Sequence, residues 1–246
     1  MAVRNRSGWV AGVDGCRAGW IVVLFHRETR ARRAKVITEF SEISSIRESP
    51  DVVAVDIPIG LPSAAEAGGR ACERQARRLL RGRASSIFSS PARAALDAFR
   101  RGAAYPNVSA ANLASSPAGV RLSKQTFNIL SKIDEVDAIV GPAEQTVVHE
   151  VHPELCFTEA NGGRPMAHRK KDRAGLDERA ALLQRLGFAD PLRLLGDKLP
   201  KGVAPDDLLD ACIACWTADR IASGSAIVIP ASPPTDPRGL RMELWR

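Results

Sequence analysis

The sequence predicts an α/β protein, a mixed β-sheet covered by helices, on three observations. Two apolar runs near the N-terminus, Trp9 to Val13 and Trp20 to Phe25, flank the short turn Gly15-Cys16-Arg17-Ala18-Gly19. Such spacing makes a hairpin of two strands rather than one long helix. A third β-branched run, Val52 to Val55, ends at Asp56 and then meets the breakers Pro58, Gly60 and Pro62. Helical periodicity dominates after that point, interrupted by one more strand-like stretch at Thr146 to Val151. Early hairpins followed by strand–helix units give a sheet that mixes antiparallel and parallel pairs.

Each element has its own warrant. Trp20 to Phe25 is apolar at every position, as a strand buried on both faces must be. Ala34 to Thr38 is the third strand expected, and Ser41 is placed to cap a short helix reaching Glu48. Arg70 to Arg81 reads as a helix, and Ser90 as the cap of another that starts at Pro91. Ser123 to Val140 is the longest periodic stretch, with Phe127, Leu130, Ile133, Val136 and Val140 at helical spacing and Gly141-Pro142 as its stop. Leu176 to Leu186 is amphipathic and closed by Gly187. Pro205 opens a last helix reaching about Ile221, and Ala226 to Ile229 is a short strand in a proline-rich tail. The expected organisation is one domain over residues 1–246, with a helical insertion over 63–145 between the fourth and fifth strands.

Composition sets the limits. The chain has 246 residues, 45% apolar and 26% charged, which suits a globular protein and excludes a wholly disordered or fibrous one. No apolar run approaches the roughly 18 residues that span a bilayer. Met1 to Trp9 lacks the apolar core of a signal peptide, so a cytoplasmic location is expected. The five cysteines are scattered and expected to be free thiols. Lys plus Arg number 35 against 28 acids, a net charge of +7 that favours polyanionic partners only weakly.

Acidic residues carry the chemistry. Asp14 closes the first strand, Asp56 the fourth, and Glu150 lies in the fifth between His149 and His152. If those three strands are adjacent and parallel, their carboxyl ends form one edge, where open α/β sheets bind ligands. Asp206, Asp207 and Asp210 open the last helix. Asp206 is accounted for by the helix dipole. Asp207 and Asp210 share a face three residues apart, and Asp210 lies beyond the reach of simple capping. Ionised carboxylates gathered in one place repel unless a cation intervenes, and hard oxygen donors suit Mg²⁺ or Mn²⁺. Two such ions serve phosphodiester cleavage. Each acid also has a plainer role open to it: turn residue for Asp14 and Asp56, helix capping for Asp207, an arginine partner for Glu150.

These stretches resemble one family. Val10-Ala11-Gly12-Val13-Asp14-Gly15-Cys16-Arg17-Ala18-Gly19-Trp20 and Val55-Asp56-Ile57-Pro58-Ile59-Gly60-Leu61-Pro62 are similar to the domain of unknown function 429 family. So are Ser123-Lys124-Gln125-Thr126, Glu150-Val151-His152-Pro153-Glu154 and Asp206-Asp207-Leu208-Leu209-Asp210-Ala211. The resemblance covers about Trp9 to Pro230. It implies the ribonuclease H-like fold, akin to RuvC resolvases and YqgF-type proteins, with sheet order 3-2-1-4-5 and strand 2 antiparallel. It further implies a metal-dependent nuclease in which Asp14, Asp56 and the Asp207-x-x-Asp210 pair hold Mg²⁺ or Mn²⁺ and Glu150 assists, with Glu154 the alternative at that point. Because activity in the family is itself inferred from fold, two other classes stay open: a non-catalytic nucleic-acid or protein binding module, and an actin-like phosphotransferase, which needs two copies of the fold.

The basic residues fit a nucleic-acid partner. Arg70, Arg74, Arg77, Arg78 and Arg81 fall at i, i+3 and i+4 spacing, either as a polyanion-binding face or as a solvated one. Arg17, Arg74, Arg78 and Lys124 are the substrate-binding candidates, Lys124 because it opens a helix whose N-terminus can face a phosphate. Two near-motifs fail. His149-Glu150-Val151-His152 has the wrong spacing for a zinc protease, and Cys212-x-x-Cys215 sits in an apolar helix with no second pair.

Overall fold

The structure is a computed structural model that describes residues 7–246. The stretch Met1 to Trp9, in which no signal-peptide core is expected, lies mostly outside them. In chain order the elements are β1 (Trp9–Cys16), β2 (Gly19–His26), β3 (Arg32–Ile37), β4 (Val52–Val55), α1 (Ala71–Leu80), α2 (Arg93–Arg100), α3 (Tyr105–Ala114), α4 (Lys124–Asn128) and α5 (Leu130–Ile139). There follow β5 (Val148–Glu150), α6 (Pro153–Ala160), α7 (Arg173–Arg185), α8 (Pro205–Ser223), β6 (Val228–Ile229) and β7 (Leu244–Trp245). Short 3₁₀ turns such as Phe40–Ser45 connect them.

The large sheet has the order β3-β2-β1-β4-β5. β2 runs antiparallel to β1 and β3, while β1, β4 and β5 are parallel. This is the ribonuclease H-like arrangement. Register follows from the buried runs: Val10 pairs with Val52, Val13 with Val55, and Val55 with Glu150. Because side chains alternate across a pleat, Val10, Gly12 and Asp14 face one side with Val52, Ala54 and Asp56. On that side Val10, Ile21, Val23, Phe25, Val52 and Ala54 form one apolar core with Leu208, Leu209, Cys212 and Ile213 of α8.

The chain divides into two compact units. The first comprises residues 1–56, 147–227 and 245–246 and contains the large sheet with α6, α7 and α8. Cys212 and Cys215 are fully buried there, as core residues, and among the described residues no cysteine is in a disulfide. The second comprises residues 57–146 and 228–244 and contains α1 to α5. Among the described residues no helix is long and apolar enough to cross a membrane.

Several local expectations change. The stretch 123–140 is two helices broken at Ile129, whose φ of −105° and ψ of 4° depart from helical values. Pro153 does not end structure but begins α6 at its first position, where a missing N–H costs nothing. Ser90 caps no helix; α2 starts after Ala92. The backbone N–H of Ser90 donates to the buried Glu73 carboxylate at 3.1 Å, and its hydroxyl donates there too. The arginine face of α1 is likewise not a free one. Arg70 is buried, donates from Nε to Glu73 at 2.7 Å and reaches the Ile59 carbonyl at 2.9 Å. Arg77 donates to the Ile87 carbonyl at 2.9 Å, and Arg74 pairs with Glu66 at 2.6 Å. Arginines with so many local carbonyl and carboxylate acceptors are structural fasteners first.

Candidate functional site

The site begins with a glycine. A Cβ at Gly12 would lie 2.0 Å from the Cys215 amide nitrogen and 2.3 Å from the Ala211 carbonyl oxygen. Only hydrogen at this position lets the backbone of α8 pack directly on β1. Two residues further along the same face stands Asp14, 7% exposed. The Asp56 amide donates to the Val13 carbonyl at 3.0 Å, so Asp56 continues the parallel ladder beside Asp14. Both acids therefore sit at the carboxyl ends of adjacent strands, on the face that α8 covers.

The first turns of α8 complete the cluster. Asp210 is 1% exposed, and Asp206 is buried one turn earlier. Burial pushes the Asp14 carboxyl well above the ordinary range, and repulsion from Asp56 and Asp210 adds to it. Burial likewise raises Asp56 to about 7 and Asp210 to about 6, and the Lys170 ammonium moderates both. Asp207 adds repulsion at Asp14 and Asp56, and Glu154 at Asp56 and Asp210, so these carboxylates form one electrostatic unit.

Lys170 is the cation at that unit. Its Nζ donates to Asp210 Oδ2 at 2.6 Å and lies 4.0 Å from Asp206 Oδ2. Burial alone would lower its pKa, but Asp210, Asp14 and Asp56 hold it well above the usual lysine range. The loop that carries it is built in. Glu178 accepts the backbone N–H groups of Ala167 at 2.8 Å and His168 at 3.0 Å. Arg179, wholly buried, donates to the His168 carbonyl at 3.2 Å and to Glu154. A Cβ at Gly175 would lie 1.8 Å from the Arg169 carbonyl, so α7 approaches the loop as closely as a glycine permits.

The expected residues are not all brought together. Glu150 is buried in β5 opposite Val55 and Val13, so its side chain lies on the other face of the sheet from Asp14 and Asp56. Glu154, at the start of α6, adds its charge after that of Asp207 in raising Asp56 and after that of Asp56 in raising Asp210, and Arg179 already holds its Oε1. Asp207 and Asp206 exchange the roles expected of them. Asp207 Oδ2 accepts the Ala204 N–H at 3.2 Å, capping α8, and Asp206 turns inward toward Lys170. Arg17 is exposed on the β1–β2 turn, three residues after Asp14. Arg74, Arg78 and Lys124 belong to the second unit, where Lys124 stacks over Tyr105 at 4.5 Å.

The family model described as "Protein of unknown function (DUF429)" matches residues 12–235, a span that runs from the glycine under α8 to beyond the end of that helix. The chain belongs to the DUF429 family. No curated protein matches it. Among solved structures it matches that of RuvC from Thermus thermophilus, at 12% identity, over 88% of this chain and 97% of that one, with a TM-score of 0.33.

In this DUF429 protein the cluster fits a hard divalent cation by its donors. Every ligand on offer is a carboxylate oxygen, and the buried Asp210 Oδ1 has no hydrogen-bond partner among the described residues. The carboxylates do not form a finished cage: among the described residues no three acidic, histidine or cysteine side chains are arranged to hold a metal ion together. Lys170 and Arg179 are the residues that sequence reasoning passed over. Lys170 stands in an undistinguished basic run, Arg169-Lys170-Lys171. Arg179 did carry a signal, since it falls between Leu176, Leu182 and Leu183 on the apolar face of its helix.

Proposed function

We propose that the protein is a metal-dependent phosphodiesterase acting on nucleic acid. The observation that carries the reading is the convergence of Asp14 and Asp56, at the carboxyl ends of the parallel strands β1 and β4, with Asp210 of α8, each with its pKa raised first by burial. Strand ends in such sheets are where ligands bind. Asp14, Asp56 and Asp210 would hold Mg²⁺ or Mn²⁺, with Asp206 at the edge of the group. A divalent cation, when bound, supplies Lewis acidity toward a phosphoryl oxygen and toward water. The chain contributes the rest. Gly12 fixes the distance between β1 and α8, and so sets Asp14 against Asp210. Asp56 lies in line with Asp14 through the ladder. Arg17, exposed beside the strand ends, offers a guanidinium to a phosphate of the backbone. Arg74, Arg78 and Lys124 remain phosphate-contact candidates of the second unit taken by itself, and Asp207 serves the reading by capping α8. Glu150 has no direct part, being on the far face. A cytoplasmic location is part of the same proposal.

The test is cleavage of labelled single-stranded, duplex and branched DNA and of RNA, with Mn²⁺ or Mg²⁺ and with chelator. Cleavage that needs the metal and is lost in Asp56→Asn supports the reading; no cleavage of any of these by the folded, metal-loaded protein counts against it.

A non-catalytic binding module is the second reading, and the Lys170–Asp210 ion pair favours it, since a permanent ammonium neutralises the acids without metal. Nucleic-acid binding that is indifferent to Mn²⁺ and to Asp56→Asn would select it.

A further inference from the structure

The ammonium of Lys170 stands where a cation is needed, and four observations bear on what it does there. Its side chain is 38% exposed although the head group contacts Asp210, which is 2% exposed, so the stem is free to swing outward without unfolding anything. The loop beneath it is fastened by Glu178 and Arg179 through three backbone groups, which fixes the point from which the side chain reaches in. Asp210 uses one oxygen for the ammonium and leaves the other, buried, without a partner. Finally, the same ammonium lies 4.0 Å from Asp206 as well, while among the described residues the acids are not arranged as a metal cage.

We propose that Lys170 is a built-in competitor for the divalent cation: its ammonium neutralises Asp14, Asp56 and Asp210 in the metal-free protein and is displaced when the ion binds. The inference rests on the metal-binding reading of the same site and adds its regulation. Unneutralised, the three carboxylates would repel one another and loosen the contact between β1 and α8. With the lysine in place the site is held together while empty, and the ion binds more weakly because it must eject a bound charge. Metal affinity is thereby set below what the carboxylates alone would give, so that occupancy follows the metal concentration around the protein. An anionic substrate that draws the freed ammonium outward would favour the loaded state.

Calorimetric titration of Mn²⁺ into the chelator-treated wild type, Lys170→Met and Lys170→Arg tests this. Lys170→Met should bind Mn²⁺ about tenfold more tightly than wild type, since displacing a close ion pair on a buried carboxylate is worth a factor of that order. Lys170→Arg, which keeps the charge, should stay near wild type. Lys170→Met should also melt lower without metal and gain more from saturating Mn²⁺. Equal or weaker Mn²⁺ binding by Lys170→Met, with wild type binding, overturns the competitor role alone. Absence of Mn²⁺ binding in both proteins overturns the metal reading, and this inference with it. Should Lys170→Met not fold, the wild type answers directly. With its lysines ¹³C-methylated and Lys170 assigned by loss of its signal in Lys170→Arg, the Lys170 resonance should move saturably on titration with Mg²⁺. A resonance that stays fixed at saturating Mg²⁺ overturns the proposal.

Discussion

Replacing Asp56 with asparagine should make the metal-free protein more stable at pH 8, not less. Asp56 has its pKa raised from 3.8 to about 7, by burial first and then by Asp207 and Glu154, against the moderating charge of Lys170. Between those values the folded protein keeps a proton that the unfolded chain has lost, so stability falls as pH rises and the loss is complete above about pH 7. A shift of that size corresponds to about 4 kcal/mol at ~1.4 kcal/mol per tenfold change. Asp56 is only half-buried and shares its field with Asp14 and Asp210, which brings the expected gain from a neutral isostere to about 2–3 kcal/mol. In thermal unfolding of a chain this long that is about 5–10 °C at pH 8 with chelator present. Near pH 4 the wild-type carboxyl is itself largely neutral, and the difference should shrink toward zero. Urea midpoints at both pH values, for both proteins, read the effect directly. An Asp56→Asn variant that is destabilised at pH 8, or that differs from wild type equally at both pH values, refutes the argument that these acids repel.

Other perturbations follow from the packing. Arg179→Met leaves Glu154 buried with no counter-charge and releases the His168 carbonyl, so it should cost about 3–5 kcal/mol by urea denaturation; Arg179→Met with Glu154→Leu should recover most of that. Gly12→Ala drives a methyl into the α8 backbone at 2.0 Å, and should lower the melting temperature by more than about 5 °C while weakening Mn²⁺ binding, because Asp14 and Asp210 part. In the second unit, Glu73→Gln removes the carboxylate that accepts from Arg70 and Ser90, and should destabilise by about 2–4 kcal/mol with no change in Mn²⁺ affinity, a separation that calorimetry checks.

How much of this was legible beforehand depends on what each feature needs. The strands declare themselves because a buried strand must be continuously apolar, and Trp20 to Phe25 or Val52 to Val55 can hardly be anything else. The order of the sheet does not follow from periodicity; it came with the family resemblance. Asp14, Asp56 and Asp210 stand out because each is an acid where the chain is otherwise buried. Glu150 stood out for the same reason, yet parity decides its face, and parity depends on register with β4, a tertiary fact. Asp206 and Asp207 differ by a single residue in helix phase, and which of them caps α8 depends on the chain turning at Ala204. Lys170 sits in a loop without periodicity, so nothing local separates it from Lys171. The helix expected over 123–140 fails at Ile129 because apolar spacing persists through a backbone break that side-chain pattern does not report.

The central claim is that Asp14, Asp56 and Asp210 hold a divalent cation. Crystals of the protein grown without metal and soaked in Mn²⁺ test it most directly, through the anomalous difference map. A peak within coordination distance of oxygens from all three aspartates, with Lys170 withdrawn from Asp210, is the predicted result. A map with no manganese at this cluster at saturating Mn²⁺, and Lys170 still paired with Asp210, would contradict it.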